Sequence, residues 1–248
     1  MQHYDKNDPK TIQNMFGSIA QSYDKTNAVL SFQMHRYWNS QLIRQTTSVS
    51  KPGVLLDLCC GTGEIAFTYL KKSTMPCQVT LLDFCEEMLG CAKEKARQLK
   101  YDSQHNLTYL HADAQSLPIS DNSIALATMA YGIRNVKDPA KCAREVLRVL
   151  QPGGVYGILE LTEPKNPILR YAHNLYLRTF LPILGKCLTS NQEAYKYLCN
   201  SIHSFIKPLE LERILVDTGF EQTKRIPLMG GIATILIAKK TDSLHISN

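Results

Sequence analysis

The chain is 248 residues long, 44% hydrophobic and 20% charged, a balance that suits one globular α/β domain and excludes a low-complexity protein. Its net charge of +6 permits contact with an anionic surface, but with no run of five basic residues a nucleic-acid partner is not expected. Eight cysteines, at 59, 60, 77, 85, 91, 142, 187 and 199, form no C-x-x-C pair, so neither a metal site nor a disulfide framework is expected.

The polar opening, Met1 to Pro9, has no apolar core, and no apolar run approaches membrane-spanning length, so a cytoplasmic location is expected. Residues 12–23 then place Ile12, Met15, Phe16, Ile19, Ala20 and Tyr23 at helical spacing. A second helical stretch, Met34–Gln45, carries the only tryptophan, Trp38. Lys51-Pro-Gly53 punctuates the chain, and Val54–Leu58 reads as a fully buried strand. Strand and helix then alternate: strand Gln78–Leu82 and helix Glu86–Leu99, strand Leu107–His111, strand Ile124–Met129 and helix Pro139–Leu150, strand Val155–Leu161 after the turn at 151–154. Alternation of this kind predicts a parallel sheet covered on both faces. Residues 165–206 break the rhythm and read as helical. Helix Leu209–Thr218 ends at Gly219, and strands Glu221–Ile226 and Ile232–Lys239 are spaced to form an antiparallel pair.

The first chemical motif is Asp57-Leu-Cys-Cys-Gly-Thr-Gly63, joining a strand to a helix that begins near Glu64. Glycines let the backbone approach a ligand, and the helix start offers free N–H donors. Gly61-x-Gly63-x-x-Ala66 alone also fits a dinucleotide site. Asp57 decides against that reading, because a carboxylate at the strand end repels a pyrophosphate and suits the ammonium of S-adenosylmethionine (SAM). Asp83 ends the second strand, 20 residues after Gly63, where it can accept from ribose hydroxyls, and Phe84 can pack against adenine. After the third strand, Asp113 can accept the adenine amine and the Ala114 backbone can read the ring edge, although Asp113 also suits an Asx turn.

Further segments are more particular: Met15-Phe-Gly-Ser-Ile-Ala-Gln-Ser-Tyr-Asp-Lys-Thr-Asn27, His35-Arg-Tyr-Trp38, Tyr131-Gly-Ile-Arg-Asn-Val136, Arg148-Val-Leu-Gln-Pro-Gly-Gly154 and Leu181-Pro-Ile-Leu-Gly185. With these the chain resembles the UbiE/MenG family, the C-methyltransferases of ubiquinone and menaquinone biosynthesis, from about Met15 to Lys239. The resemblance implies a Rossmann-like class I SAM-dependent methyltransferase: one domain over 1–248, with a mostly parallel seven-stranded sheet, an antiparallel last strand and helical cap segments at about 10–48 and 165–206. It also implies SAM contacts from Thr62, Asp83, Asp113 and Ala114. The sequence departs from the family pattern at Gln33, where Gly is usual, at Tyr131, where Phe is usual, and at Ala130, where some members have a Ser that contacts SAM.

The implied reaction is methyl transfer to a ring carbon of a reduced, prenylated quinone precursor, with demethylmenaquinol preferred to a ubiquinone-pathway benzoquinol. Such a carbon attacks only once a ring hydroxyl loses its proton, so the protein must stabilise a phenolate and align the reactants. Arg134, permanently charged, is expected to stabilise that phenolate. Asn135 is expected to orient the hydroxyl or a water, and Tyr23 to close over the site and relay the proton. The bland alternatives are a surface charge, a turn residue and a core aromatic. His173 and His203 are weaker relay candidates. An O- or N-methyltransferase, a nucleic-acid methyltransferase and a non-catalytic SAM-fold subunit are the competing readings, and a homodimer is left open. Basic residues (Lys165, Arg170, Arg178, Lys186, Lys196, Lys207) interleave with apolar ones over 165–207, so this segment, with Trp38 and the first helix, is expected to rest on a membrane surface, the alternative being that its apolar residues cover the sheet and its basic ones are merely solvated.

Overall fold

The computed structural model describes residues 8–180, 197, 201 and 206–242. The expectations for Leu181–Gly185, Lys186, Lys196 and His203 lie outside the described residues.

The first helical stretch divides in two. Asp8 caps helix α1 (Pro9–Ile19) by accepting the Lys10 N–H at 3.1 Å, with Pro9 in the first turn where its missing N–H costs nothing. The single helix expected over 12–23 does not form. The Ser18 and Ser22 hydroxyls donate back to the carbonyls of Met15 and Ile19, a local bond that bends helices. The chain tightens through a 3-10 turn at Ala20–Ser22, and Tyr23 opens helix α2 (Tyr23–Leu30). Phe32 and Gln33 follow with φ of 48° and 65°. The glycine usual at position 33 in the family resembled would avoid a left-handed strain of about 1 kcal/mol. Helix α3 (Met34–Thr47) follows.

Strands β1 (Leu55–Leu58), β2 (Gln78–Asp83), β3 (Asn106–His111), β4 (Ile124–Ala130) and β5 (Leu150–Leu161) alternate with helices α4 (Glu64–Leu70), α5 (Glu86–Gln98), α6 (Tyr101–Gln104) and α7 (Pro139–Val149). Helix α8 (Pro167–Leu175), capped by Asn166, runs into a π turn at Tyr176–Phe180. Helix α9 (Pro208–Thr218) and strands β6 (Gln222–Leu228) and β7 (Ala233–Lys239) complete the described chain. The seven strands lie in the order β3-β2-β1-β4-β5-β7-β6. The first five pair in parallel, and β7 runs antiparallel to both β5 and β6.

Every residue of β1 is buried, as its uninterrupted apolar run predicts. Its period of two sends Leu55 to one face, with Leu42 and Ile43 of α3, and Leu56 and Leu58 to the other, with Val146 of α7 and Leu211 of α9. Strand β5 begins earlier than expected. Leu150 pairs with Ile124, a register shift absorbs the Pro-Gly-Gly turn, and pairing resumes at Val155 with Leu126. Connections turn to opposite sides between β1 and β4, so a crevice opens at the carboxyl ends of these two strands.

Candidate functional site

A cavity of about 460 Å³ occupies that crevice. Its floor comes from Asp57 and the loop Cys59–Thr62, one wall from α1–α3, and the opposite wall from the loop after β4 and from α8. The glycine loop has the backbone its sequence demands. Gly61 takes φ of +54°, and a Cβ there would meet nothing within 4 Å, so the backbone faces open space. Gly63 takes φ of +83°, and a Cβ there would fall 2.6 Å from the Phe67 ring.

Asp57 is fully buried at the cavity floor. One carboxylate oxygen accepts the Ala66 N–H at 3.1 Å and the other the Thr128 hydroxyl at 2.8 Å. Burial pushes its pKa up to about 7, against the pull of those two hydrogen bonds. A carboxylate so desolvated lacks a cation, and a ligand carrying ammonium and sulfonium charges supplies one. A pyrophosphate would add a second anion. The floor therefore fits SAM and disfavours a dinucleotide.

Of the expected cofactor residues, Asp57, Gly61, Thr62 and Ala130 line the cavity, while Gly63 caps α4 from a buried position behind it. The Thr62 hydroxyl is turned to Asp24 of α2 at 2.5 Å. Asp83, Phe84, Asp113 and Ala114 are not brought to the cavity wall. The Asp83 oxygens accept the N–H groups of Gly61 at 2.8 Å and Cys85 at 2.9 Å, which joins the β2 end to the loop. Phe84 is half-buried and Ala114 buried. Asp113 is exposed and closes an Asx turn on the Gln115 N–H at 2.8 Å.

Arg134, Asn135 and Tyr23 all line the cavity. The loop after β4 forms a 3-10 turn over Ile133–Asn135, pinned to β5 by the Tyr131 N–H donating to the Leu159 carbonyl at 2.8 Å. Tyr131 stands at φ of +57°, a conformation costly for a bulky residue, and its hydroxyl donates to Asn39 at 3.0 Å. Arg134 is only 9% exposed, so it is no ordinary surface charge. Its Nη1 donates to Glu160 of β5 in a buried ion pair. Burial pushes the Glu160 carboxyl up, with the Arg134 charge and the Leu161 N–H pulling it back. The Asn135 Oδ1 accepts the Tyr197 hydroxyl at 2.9 Å. Tyr23 is half-buried; desolvation raises its phenol pKa, and the charge of Arg134 opposes that rise.

Sequence reasoning missed Glu160. The available signal was one acidic residue inside the apolar run Val155–Leu161, since a buried carboxylate needs a cationic partner. It also missed His35, whose Nδ1 lies 2.6 Å from the Ser31 hydroxyl on the cavity wall and whose pKa burial lowers. Trp38 is not where the membrane expectation puts it. It is 5% exposed, packed with Leu42 and Ile43, and lines the cavity, so it does not rest on a membrane.

Comparison with known proteins bears on this geometry. Residues 3–240 match the ubiE/COQ5 methyltransferase family. The chain belongs to that family. Within the ubiE/COQ5 family it is 52% identical over 240 residues to the demethylmenaquinone methyltransferase of Protochlamydia amoebophila, covering 97% of this chain and 99% of that protein. It is 42% identical over 227 residues to the enzyme of the same name from Chlamydia pneumoniae, covering 91% and 94%. The fold is that of a SAM-dependent methyltransferase from Thermotoga maritima (TM-score 0.64, 18% identity, 92% and 99% of the two chains). It is shared by a Haemonchus contortus phosphoethanolamine N-methyltransferase solved with S-adenosylhomocysteine (TM-score 0.58, 17% identity, 82% and 52%). This ubiE/COQ5 member is thus a SAM-dependent methyltransferase with the class I fold.

Proposed function

We propose that this cavity methylates a ring carbon of reduced demethylmenaquinone, within a single domain formed by the chain. The observation that carries the reading is Arg134, a buried permanent cation on a cavity wall otherwise built largely of apolar side chains. The Protochlamydia amoebophila and Chlamydia pneumoniae relatives are both demethylmenaquinone methyltransferases, which supports the naphthoquinol over other acceptors.

Asp57, Gly61, Thr62, Gly63 and Ala130 would hold SAM, with Asp83, Phe84, Asp113 and Ala114 at its adenosine end. Bound SAM supplies an electrophilic methyl group on a sulfonium. Arg134 stabilises negative charge on a ring oxygen, and that charge delocalises to the neighbouring ring carbon. In a site screened from water this electrostatic contribution is large, because the guanidinium is oriented before the charge develops. Asn135, itself held by Tyr197, orients the ring hydroxyl. Tyr23, whose phenol is pushed toward its protonated form, acts as a relay, giving its own proton to solvent water as it accepts the one from the ring hydroxyl. Leu30, Leu161, Leu169, Leu177 and Ile232 exclude water and receive the base of the prenyl tail.

The tail itself calls for a bilayer, and the rim of the cavity suits one. Ile168, Tyr171 and Phe180 are 80%, 73% and 57% exposed, next to exposed Lys165, Arg170 and Arg178, and Phe32, 70% exposed, packs beside Tyr176 with ring centroids 5.9 Å apart. Among the described residues no helix is long and apolar enough to cross a membrane, so contact would be with its surface.

The test is Arg134→Gln. Its kcat should fall about 100-fold or more with SAM affinity nearly unchanged, and Arg134→Lys should restore only part, because an ammonium does not reproduce the planar fork. Near-normal turnover in Arg134→Gln would overturn the assignment.

A further inference from the structure

Behind Arg134 stands a charge that stability alone does not explain. The Glu160 side chain is 3% exposed and that of Arg134 is 7% exposed. Their pairing leaves two buried polar atoms, Arg134 Nε and Glu160 Oε2, without a hydrogen-bond partner. A buried ion pair roughly breaks even against apolar residues of the same volume, and each unsatisfied buried atom adds a further desolvation cost. A core built for stability would hold two hydrocarbons here. An incompletely satisfied pair whose arginine lines a cavity is the pattern expected where a ligand meets that arginine.

The geometry is one-sided. Glu160 Oε1 accepts both Arg134 Nη1 and the Leu161 N–H, the latter at 2.8 Å, so the carboxylate is fixed to the backbone of β5. Strand β5 is registered against β4 through Leu159 and Ala130, and Glu160 stands opposite Thr234 of β7. The guanidinium is therefore oriented by the sheet as well as by the loop that carries it. Its Nη1 is occupied and its Nε is buried, so Nη2, on the same edge as Nε, is the nitrogen left to meet an oxygen atom in the cavity. Glu160 does not itself line the cavity, so it acts through Arg134.

We propose that Glu160 is the positioning residue for Arg134: it turns the unpaired edge of the guanidinium toward the ring oxygen and balances its charge until the quinol ionises. This rests on the reading of Arg134 as the phenolate-stabilising group. Without the carboxylate, the arginine keeps its charge but is free to take other rotamers, and a pre-set dipole becomes one that must reorganise during the reaction.

The experiment is a cycle of wild type, Glu160→Gln, Arg134→Gln and the double variant, assayed with SAM and reduced demethylmenaquinone. Glutamine keeps the shape of Glu160 and can still accept from Leu161. For Glu160→Gln we expect kcat to fall by about tenfold or more, with KM for the quinol and SAM affinity each within about threefold of wild type. The double variant should match the more impaired single variant within about threefold, since an absent arginine needs no positioning. Full kcat in Glu160→Gln overturns the proposal. So does a loss that multiplies in the double variant, or one matched by lost SAM affinity, because either is the mark of a purely structural role. If Arg134→Gln leaves Glu160 too costly to bury and does not fold, Arg134→Lys takes its place in the cycle: an ammonium has no planar edge to be turned, so Glu160→Gln should cost less than about threefold in that background, and a tenfold fall there overturns the proposal. Normal turnover in Arg134→Gln removes the underlying reading of Arg134 instead. An impaired Arg134→Gln beside a normal Glu160→Gln removes only the role of Glu160.

Discussion

The Thr62 hydroxyl donates to the Asp24 carboxylate at 2.5 Å, tying the glycine loop to the helix that roofs the cavity. Lys95 of α5 reinforces the tie, donating to Asp24 at 2.6 Å and also pairing with Glu64. These side chains are between a quarter and two-fifths exposed, so each ion pair contributes about 0.2–1 kcal/mol and not the several of a buried one. A latch of that strength holds the roof down yet opens readily. Lys95→Met should therefore raise the dissociation rate of SAM by about two- to tenfold while the melting temperature barely moves. Stopped-flow release that is unchanged in the variant would show that the roof does not gate the cofactor.

Asp57 makes SAM binding depend on pH. Its folded pKa, about 7, lies above its ordinary value of 3.8. The folded protein thus holds a proton across that window that the unfolded chain has released. Without ligand, the Asp57 contribution to stability is fully present below about pH 4, is lost as pH rises toward 7, and stays lost above it. A cationic ligand prefers the ionised carboxylate, so SAM affinity should tighten by about tenfold between about pH 5.5 and 7.5. Calorimetry across that range in wild type and Asp57→Asn checks this: the variant should be flat, and a flat wild type would contradict the assignment.

The sheet was legible because fully apolar runs such as Val54–Leu58 have few alternatives once they alternate with helices. All seven strands lie within a few residues of their expected positions. Arg134, Asn135 and Tyr23 were legible as a set and do meet at one cavity. What escaped depends on contacts between distant segments. Asp24 meets Thr62 across 38 positions and Lys95 across 71, and no local pattern announces either. Glu160 escaped because one acidic residue near a strand end reads as solvent-facing until its partner, 26 positions away, is found buried beside it. Trp38 was misplaced for the opposite reason: an aromatic on an amphipathic helix suits a bilayer and a core equally, and packing against Leu42 and Ile43 decides for the core.

Membrane contact is tested at the rim. Each of Lys165, Arg170 and Arg178 should add about 1 kcal/mol of attraction to an anionic surface at low salt. Neutralising the three together should reduce co-sedimentation with anionic vesicles sharply at low ionic strength and little at high. Ile168→Ser with Tyr171→Ser should reduce binding at both, since an apolar contact is not screened. Equal, poor binding of the wild type to anionic and neutral vesicles at low salt would argue that the exposed apolar residues serve another purpose.

Carbon methylation of a reduced naphthoquinol ring is decided by where a labelled methyl group ends up. The purified protein is supplied with methyl-labelled SAM and offered demethylmenaquinone in its reduced form, the same compound oxidised, and a reduced ubiquinone-pathway benzoquinone. Label should enter only the reduced naphthoquinol at an appreciable rate, and it should stay with the ring carbon when the product is oxidised to the quinone. Label lost on that oxidation would mean transfer to oxygen. Equal labelling of the oxidised compound would mean that no ring phenolate is needed, and either result would overturn phenolate-driven methylation of the ring carbon.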